Sequence, residues 1–99
     1  NLIAIVDRNK YQIDGKTEEV LSLEPFRKKW ESFGWDVSEI DGHNFPEIIN
    51  SLNKYTNRPH VIIANTIKGR GISMMENSNR FHGKAPSADE MITILEELK

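Results

Sequence analysis

The chain alternates between apolar runs of strand length and segments in which apolar residues recur at helical spacing. Two runs, Leu2–Val6 and Val61–Ala64, are continuously apolar and rich in Ile and Val, which is typical of strands buried on both faces of a sheet. Residues 35–40 instead alternate apolar and polar side chains. This alternation predicts a half-exposed strand near a sheet edge.

Three segments have the periodicity of amphipathic helices. Pro25 suits the first turn of a helix that carries Phe26, Trp30 and Phe33 on one face and is capped by Gly34. Capping patterns, Asn44 with Glu47 and Ser87 with Glu90, open the other two helices. The apolar stripes expected on these two helices are Phe45, Ile48, Ile49 and Leu52 on one, and Met91, Leu95 and Leu98 on the other.

The resulting order is strand, loop, helix, strand, helix, strand, loop, helix. Such alternation implies right-handed crossovers, and it predicts an α/β fold with a mainly parallel sheet and helices packed against it. Two connections, residues 7–23 and 66–86, show no clear periodicity. Connections of this length are usually functional or disordered, and the apolar residues of the first predict an ordered loop.

Composition narrows the classes of function. At 99 residues and 37% hydrophobic content, we expect one small domain with a marginal core that a partner surface would complete. A net charge of −2 with both signs interspersed argues against nucleic acid and anionic lipid as partners. Absence of cysteine fits a reducing compartment, and we expect a cytoplasmic location. No apolar run reaches the roughly 20 residues that span a bilayer. Because the sequence opens directly on a core strand, we expect a fragment of a larger protein.

Polar residues follow the first predicted strand at the edge where parallel α/β sheets bind ligands. Asp7, Arg8 and Asn9 come directly after Val6. An Asn amide oxygen and backbone carbonyls are hard donors that suit Mg²⁺ or Ca²⁺. The same Asp-x-Asn pattern is also that of an ordinary turn, so both interpretations stay open from these residues alone.

A second polar constellation follows the other buried strand. Lys68 stands beside Gly69 and Gly71, which let the backbone approach a ligand closely, so Lys68 and oriented N–H groups predict a phosphate cradle. A solvated basic turn is the alternative. Farther on, His82 lies between Phe81 and Gly83. Histidine suits proton transfer or recognition of hydroxyl and phosphate groups, although a loop histidine is also commonly structural.

Taken together, these segments resemble the transketolase family. The segment VDRNKYQIDG (6–15) resembles the end of the family's bipartite thiamine diphosphate motif. In the family's order follow KWESFGWDV (29–37), DGH (41–43), IIANTIKGRG (62–71), EN (76–77) and HGKAP (82–86). The Gly-Asp-Gly half of the motif does not occur in this sequence, and Phe81 stands where many members have Trp.

The resemblance implies specific site residues. Asn9 is similar to a Mg²⁺ ligand that uses its side-chain oxygen, and Tyr11 to a position that supplies a backbone carbonyl to the metal. Lys68 is similar to a lysine that contacts the cofactor diphosphate. His82 is similar to a catalytic histidine that lies near both the diphosphate and the sugar substrate. The implied cofactors are thiamine diphosphate and Mg²⁺, or Ca²⁺ in place of Mg²⁺.

The resemblance also implies a fold and a role. Residues 1–99 are expected to form the second half of the pyrophosphate-binding domain, a partial three-layer α/β/α fragment of a thiamine diphosphate-binding fold. The complete enzyme would transfer a two-carbon ketol unit between sugar phosphates, as a homodimer, and the partner of this piece would be the rest of the chain or a complementary subunit. The isolated piece is expected to be inactive. The alternatives are a non-catalytic binding or assembly module, a related deoxyxylulose-phosphate-synthase-type enzyme, and a generic α/β domain whose loops are turns.

Overall fold

Strands and helices alternate along the chain in the computed structural model, which describes residues 2–99. The elements are β1 (Ile3–Arg8), β2 (Tyr11–Gln12), β3 (Gly15–Lys16), α1 (Thr17–Val20), α2 (Phe26–Ser32), β4 (Asp36–Asp41), α3 (Phe45–Leu52), β5 (His60–Asn65) and α4 (Ala88–Glu97). The predicted order of three main strands and three main helices is confirmed. Within the described residues, no helix is long and apolar enough to cross a membrane.

The chain divides into two compact units. One comprises the residues up to Arg8 with Leu23–Thr66, and the other comprises Asn9–Ser22 with Ile67–Lys99. The first connection was expected to be an ordered loop without regular structure, but it contains the antiparallel β2–β3 pair and the single-turn helix α1. That expectation is therefore wrong in detail. The second connection carries neither a helix nor a strand between Thr66 and Pro86, as its sequence predicts.

A three-stranded parallel sheet organises the first unit, in the order β1-β5-β4. The central strand β5 is buried on both faces from His60 to Ala64, which confirms the prediction for this run. Strand β4 lies at the edge of the sheet with a mixed burial pattern, also as predicted. Helices cover both faces: α2 packs against Val37, Val61 and Ile63, and α3 packs through Ile48 against the opposite face. This arrangement is the expected α/β/α layering.

The prediction of full burial is wrong for β1. Ala4 and Val6 pack against the same buried cluster, Val37, Val61 and Ile63, as the aromatic residues of α2. Ile3 and Ile5 lie on the other face and are 44% and 62% exposed. Ile5 is in register with Ile62, but the cluster that Ile48 covers on this face contains Ile62 and not Ile5. A continuous apolar run therefore shows that a strand has apolar side chains on both faces, but not that other elements cover both faces.

The predicted helix caps are confirmed, whereas the predicted apolar stripes agree less well with the structure. Asn44 accepts a hydrogen bond from the Glu47 N–H, and Ser87 with Glu90 forms a complete capping box. The helix α2 ends at Ser32, so Phe33 leaves the apolar face and is 81% exposed. The stripe expected on the last helix is also wrong, because Ile94 is its buried residue. The exposed members of the expected stripes are Met91 and Leu95 on α4, Leu98 directly after α4, and Phe45, Ile49 and Leu52 on α3.

A buried histidine at the start of β5 gives the fold a pH dependence. His60 is 2% exposed, its Nε2 lies 2.9 Å from Ser38 Oγ, and no described residue is a hydrogen-bond partner of its Nδ1. Burial lowers the pKa of His60 below its usual 6.5; the charge of Lys54 lowers it further, and Asp36 partly opposes the shift.

We expect the free energy of unfolding to fall as the pH is lowered through about 6.5, because the unfolded chain then binds a proton that folded His60 does not. Above that pH the imidazole is neutral in both states and the effect vanishes. Following the His60 ring signals by NMR during a pH titration checks this. A midpoint at or above that of a histidine peptide would contradict it.

Candidate functional site

The four residues singled out by the sequence all belong to the second compact unit. Asn9 and Tyr11 lie at the start of its hairpin, and Lys68 and His82 lie in its long loop. Each is placed by a local turn, and these turns determine what the side chains are able to do.

The hairpin begins with an Asx turn. Asn9 Oδ1 accepts a hydrogen bond of 2.9 Å from the Tyr11 N–H, and Lys10 between them has a positive φ of 65°. The turn interpretation of this pattern is therefore confirmed. It does not exclude a metal ligand, because a carboxamide oxygen has two lone pairs and this bond uses one. The turn also holds the Asn9 carboxamide in a fixed orientation.

The strand that leads into the hairpin is fixed at its carboxyl end. Arg8 is 5% exposed, pairs with Glu24 at 2.8 Å, and stacks over the Phe26 ring at 5.4 Å. Asp7 accepts a hydrogen bond from the Thr66 hydroxyl, which joins the ends of β1 and β5. These contacts all lie within the first unit, and they fix the carboxyl end of β1.

Lys68 begins a tight turn whose shape requires glycine. Gly69 has φ of +75°, and a Cβ on it would lie 2.3 Å from the Met75 carbonyl oxygen. The Lys68 carbonyl accepts from the Asn77 N–H at 2.9 Å, which folds the loop back on itself. This close approach is the physical reason for glycine at position 69.

Three backbone N–H groups around this turn are not available to form the predicted phosphate cradle. The Arg70 and Ile72 N–H groups donate to carbonyls inside the loop, and the Gly71 N–H donates to Glu76 Oε1 at 3.1 Å. These three donors are therefore used within the protein. The half-buried Lys68 side chain supplies this turn with a cationic group suited to a diphosphate.

His82 is presented by a turn of residues 80–83 and its side chain is exposed. Its N–H donates to the Asn79 carbonyl at 3.0 Å. The Arg80 guanidinium stacks on the Phe81 ring at 4.9 Å and pairs with Glu90 of α4. The backbone of this turn is thus anchored on the N-terminal side of His82, whereas the imidazole itself is accessible to a ligand.

Helix α4 anchors both halves of the long loop. Ser73 donates to Glu97 through its hydroxyl and also through its N–H at 2.6 Å, and these two bonds lower the Glu97 pKa. Near the other end, the Ser87 N–H lowers the pKa of Glu90, with a further contribution from Arg80. Both carboxylates are therefore held in the charged form that the loop contacts need.

The structure joins the hairpin to the His82 turn. Asn79 Nδ2 donates to the Ile13 carbonyl at 3.2 Å. The sequence interpretation missed both the hairpin and Asn79. For the hairpin a partial signal exists, since Asp14 and Gly15 are residue types that favour turns, although the two-residue loop itself is Ile13-Asp14 and Gly15 begins β3. For Asn79 there is none, because the contact spans 66 residues.

The donors fit a magnesium–diphosphate complex only in part. Asn9 and the Tyr11 carbonyl supply neutral hard oxygens, and residues 2–99 contain no group of three or more His, Cys, Asp or Glu placed to hold a metal. Mg²⁺ is usually held by one or two carboxylates together with substrate phosphates. The residues present therefore fit Mg²⁺ when phosphate oxygens and a further ligand complete its shell.

Comparison with known proteins gives the family. Residues 1–98 match the family model described as "Transketolase, thiamine diphosphate binding domain". An apulose-4-phosphate transketolase subunit of Phocaeicola vulgatus is 47% identical over 93 residues, which are 91% of this chain and 33% of that protein. Human transketolase is 32% identical over 98 residues, which are 99% of this chain and 16% of that protein. The chain thus spans about a third of the Phocaeicola vulgatus protein and less of the human enzyme.

Solved structures give the same result. Transketolase from Campylobacter jejuni superimposes with a TM-score of 0.76 at 32% identity, over 81% of this chain and 13% of that chain. A Pichia stipitis transketolase mutant in complex with fructose 6-phosphate superimposes with a TM-score of 0.77 at 29% identity, over 95% and 14% of the two chains.

Proposed function

The chain belongs to the thiamine diphosphate-binding domain of the transketolase family, and from this premise we propose that it forms part of an enzyme that transfers two-carbon ketol units between sugar phosphates. In this role it holds the diphosphate end of the cofactor through Mg²⁺. Its location would be the cytoplasm, in keeping with the absence of cysteine.

The observation that carries the proposal is the geometry of Asn9. The bond from the Tyr11 N–H to Asn9 Oδ1, 2.9 Å long, orients the carboxamide in advance of binding and leaves a lone pair for a cation. Asn9 and the Tyr11 carbonyl would then supply two oxygens to Mg²⁺. A ligand that is oriented before binding loses less entropy when the metal arrives.

The other two residues would act on the phosphates and the sugar. Lys68 would neutralise charge on the diphosphate from a turn whose backbone is fixed by the Asn77 N–H. His82 would contact the substrate and exchange a proton with its hydroxyl groups. When bound, thiamine diphosphate supplies the carbon nucleophile for ketol transfer. The chain's own contribution is to position that cofactor and to provide groups that move protons.

The proposed assembly completes this chain with further protein. The Phocaeicola vulgatus relative is named as one subunit of a transketolase, and this chain spans 33% of that protein. The partner of this chain would be a complementary subunit or further residues of the same polypeptide, within a complete enzyme that is a homodimer. Exposed Ile3 and Ile5 on β1 provide apolar surface for such a contact.

The proposal is tested by assaying the complete assembly. Ketol transfer from a ketose phosphate to an aldose phosphate should require both thiamine diphosphate and a divalent cation, and removal of Mg²⁺ with a chelator should abolish it. An assembly that forms correctly and binds cofactor but transfers nothing would instead be the non-catalytic module that is the alternative.

Replacing Asn9 by alanine should weaken Mg²⁺–thiamine diphosphate binding roughly ten- to hundredfold, because one of few oxygen ligands to the metal is lost. Titration calorimetry on the complete assembly measures this. Asn9→Asp keeps an oxygen at the same place and should retain more affinity than Asn9→Ala. Asn50→Ala, on the exposed surface of α3, serves as the control. Unchanged affinity in Asn9→Ala would refute the metal assignment.

A further inference from the structure

Asn79 contacts both parts of the candidate site. Its backbone carbonyl accepts the His82 N–H at 3.0 Å. Its side-chain Nδ2 donates to the Ile13 carbonyl at 3.2 Å. Ile13 lies in the turn between β2 and β3, and Asn9 and Tyr11 begin the same hairpin. One residue therefore joins the turn that presents His82 to the hairpin that presents the metal-binding oxygens.

We propose that Asn79 is a positioning residue that sets the location of His82 relative to the metal-binding hairpin. This inference rests on the proposed function, since it gives Asn79 a role in the same reaction. Asn79 contacts neither cofactor nor substrate in the proposal. It acts through His82 and the hairpin.

The hairpin needs this hydrogen bond more than the His82 turn does. The strands β2 and β3 are two residues each, and an isolated hairpin of this size has marginal stability. The His82 turn is anchored on α4 through the Arg80–Glu90 ion pair. The hydrogen bond from Asn79 to the Ile13 carbonyl therefore restrains the hairpin by connecting it to a segment that is anchored on α4.

The side chain of Asn79 has the chemistry for this contact. A carboxamide NH₂ donates to a carbonyl without bringing a charge into a site that must accept Mg²⁺ and a diphosphate. Asp at this position offers only acceptor oxygens when ionised and would repel the Ile13 carbonyl. Alanine removes the tie and leaves the backbone bond from His82 intact. These two substitutions separate the donor from the backbone.

Turnover measurements on the complete enzyme test the coupling to His82. Asn79→Ala should lower kcat about fivefold, the factor that corresponds to one neutral hydrogen bond, and change cofactor affinity less. In a double-mutant cycle, Asn79→Ala should cause no further loss once His82 is alanine. Ser78→Ala is the matched control, because Ser78 Oγ accepts from the Arg80 N–H inside the same turn and does not reach the hairpin.

Hydrogen exchange provides a readout that does not depend on activity. In Asn79→Ala, amide exchange of hairpin residues 11–16 should accelerate about fivefold, while exchange in β5 stays unchanged. Ser78→Ala should leave hairpin exchange as in the wild type. Unchanged exchange in Asn79→Ala overturns the tie, and additive losses in the double-mutant cycle overturn its action through His82. A wild-type assembly without ketol transfer refutes the proposed function separately, because the exchange result is independent of it.

Discussion

Replacing His82 by alanine in the complete enzyme should reduce kcat for a ketose phosphate about 10²-fold, with a smaller effect on cofactor affinity. The imidazole is exposed, whereas its backbone is fixed by the Asn79 carbonyl and by the anchored Arg80. Such a side chain is able to reach a ligand without disturbing the fold. The loss should therefore be one of proton transfer and substrate contact and not of stability.

Steady-state kinetics combined with cofactor titration measure the two effects separately. His43→Ala is the matched control, since His43 is also an exposed loop histidine but lies in the first compact unit. The control should turn over at the wild-type rate. Turnover of His82→Ala at the rate of His43→Ala would make His82 a structural loop residue, and the catalytic assignment would be withdrawn.

Local sequence signals predicted much of the fold. The run Val61–Ala64 became the central strand β5, because a strand flanked by partners on both sides needs apolar residues on both faces. The caps at Asn44 and Ser87 were predicted from side chains only three residues away. Where the determinants of a structure lie within one helical turn or one strand, the sequence carries them directly.

Signals that depend on neighbours were less informative. Leu2–Val6 has the same apolar pattern as β5, yet Ile5 is 62% exposed because the apolar cluster on that face does not extend to β1. In α4 the buried residue is Ile94, while Met91 and Leu95 are exposed. Hydrophobic spacing identifies that a helix has an apolar face, but the residue that is buried is decided by what packs against it.

The candidate site shows the same division. The turn at Asn9 and the glycine requirement at position 69 are local, and their sequence patterns pointed to them. The Gly71 N–H donates to Glu76 and is therefore not available to the expected phosphate cradle. This hydrogen bond depends on how the loop folds back, which no local pattern specifies. The tie from Asn79 to Ile13 is a long-range contact that no local pattern encodes.

The prediction with the largest effect concerns these 99 residues on their own: they should catalyse no ketol transfer and should not bind thiamine diphosphate appreciably. Asn9 and the Tyr11 carbonyl are neutral donors, and the described residues contain no cluster of three or more His, Cys, Asp or Glu to hold the metal. Mg²⁺ dehydrates reluctantly and normally needs at least one carboxylate together with phosphates. The complete assembly, measured under the same conditions, is the positive control.

The same 99 residues should also self-associate or require a partner. Among the described strands, β1 is paired on one side only, by β5, and its exposed face carries Ile3 and Ile5. An unpaired strand edge with apolar side chains is a template for pairing with another chain. Sedimentation velocity over a range of concentrations, combined with titration calorimetry, tests both halves of the prediction. Saturable micromolar cofactor binding by a monodisperse monomer of this chain would overturn both halves. It would show that the neutral donors are sufficient to bind the cofactor, and that the open strand edge does not cause association.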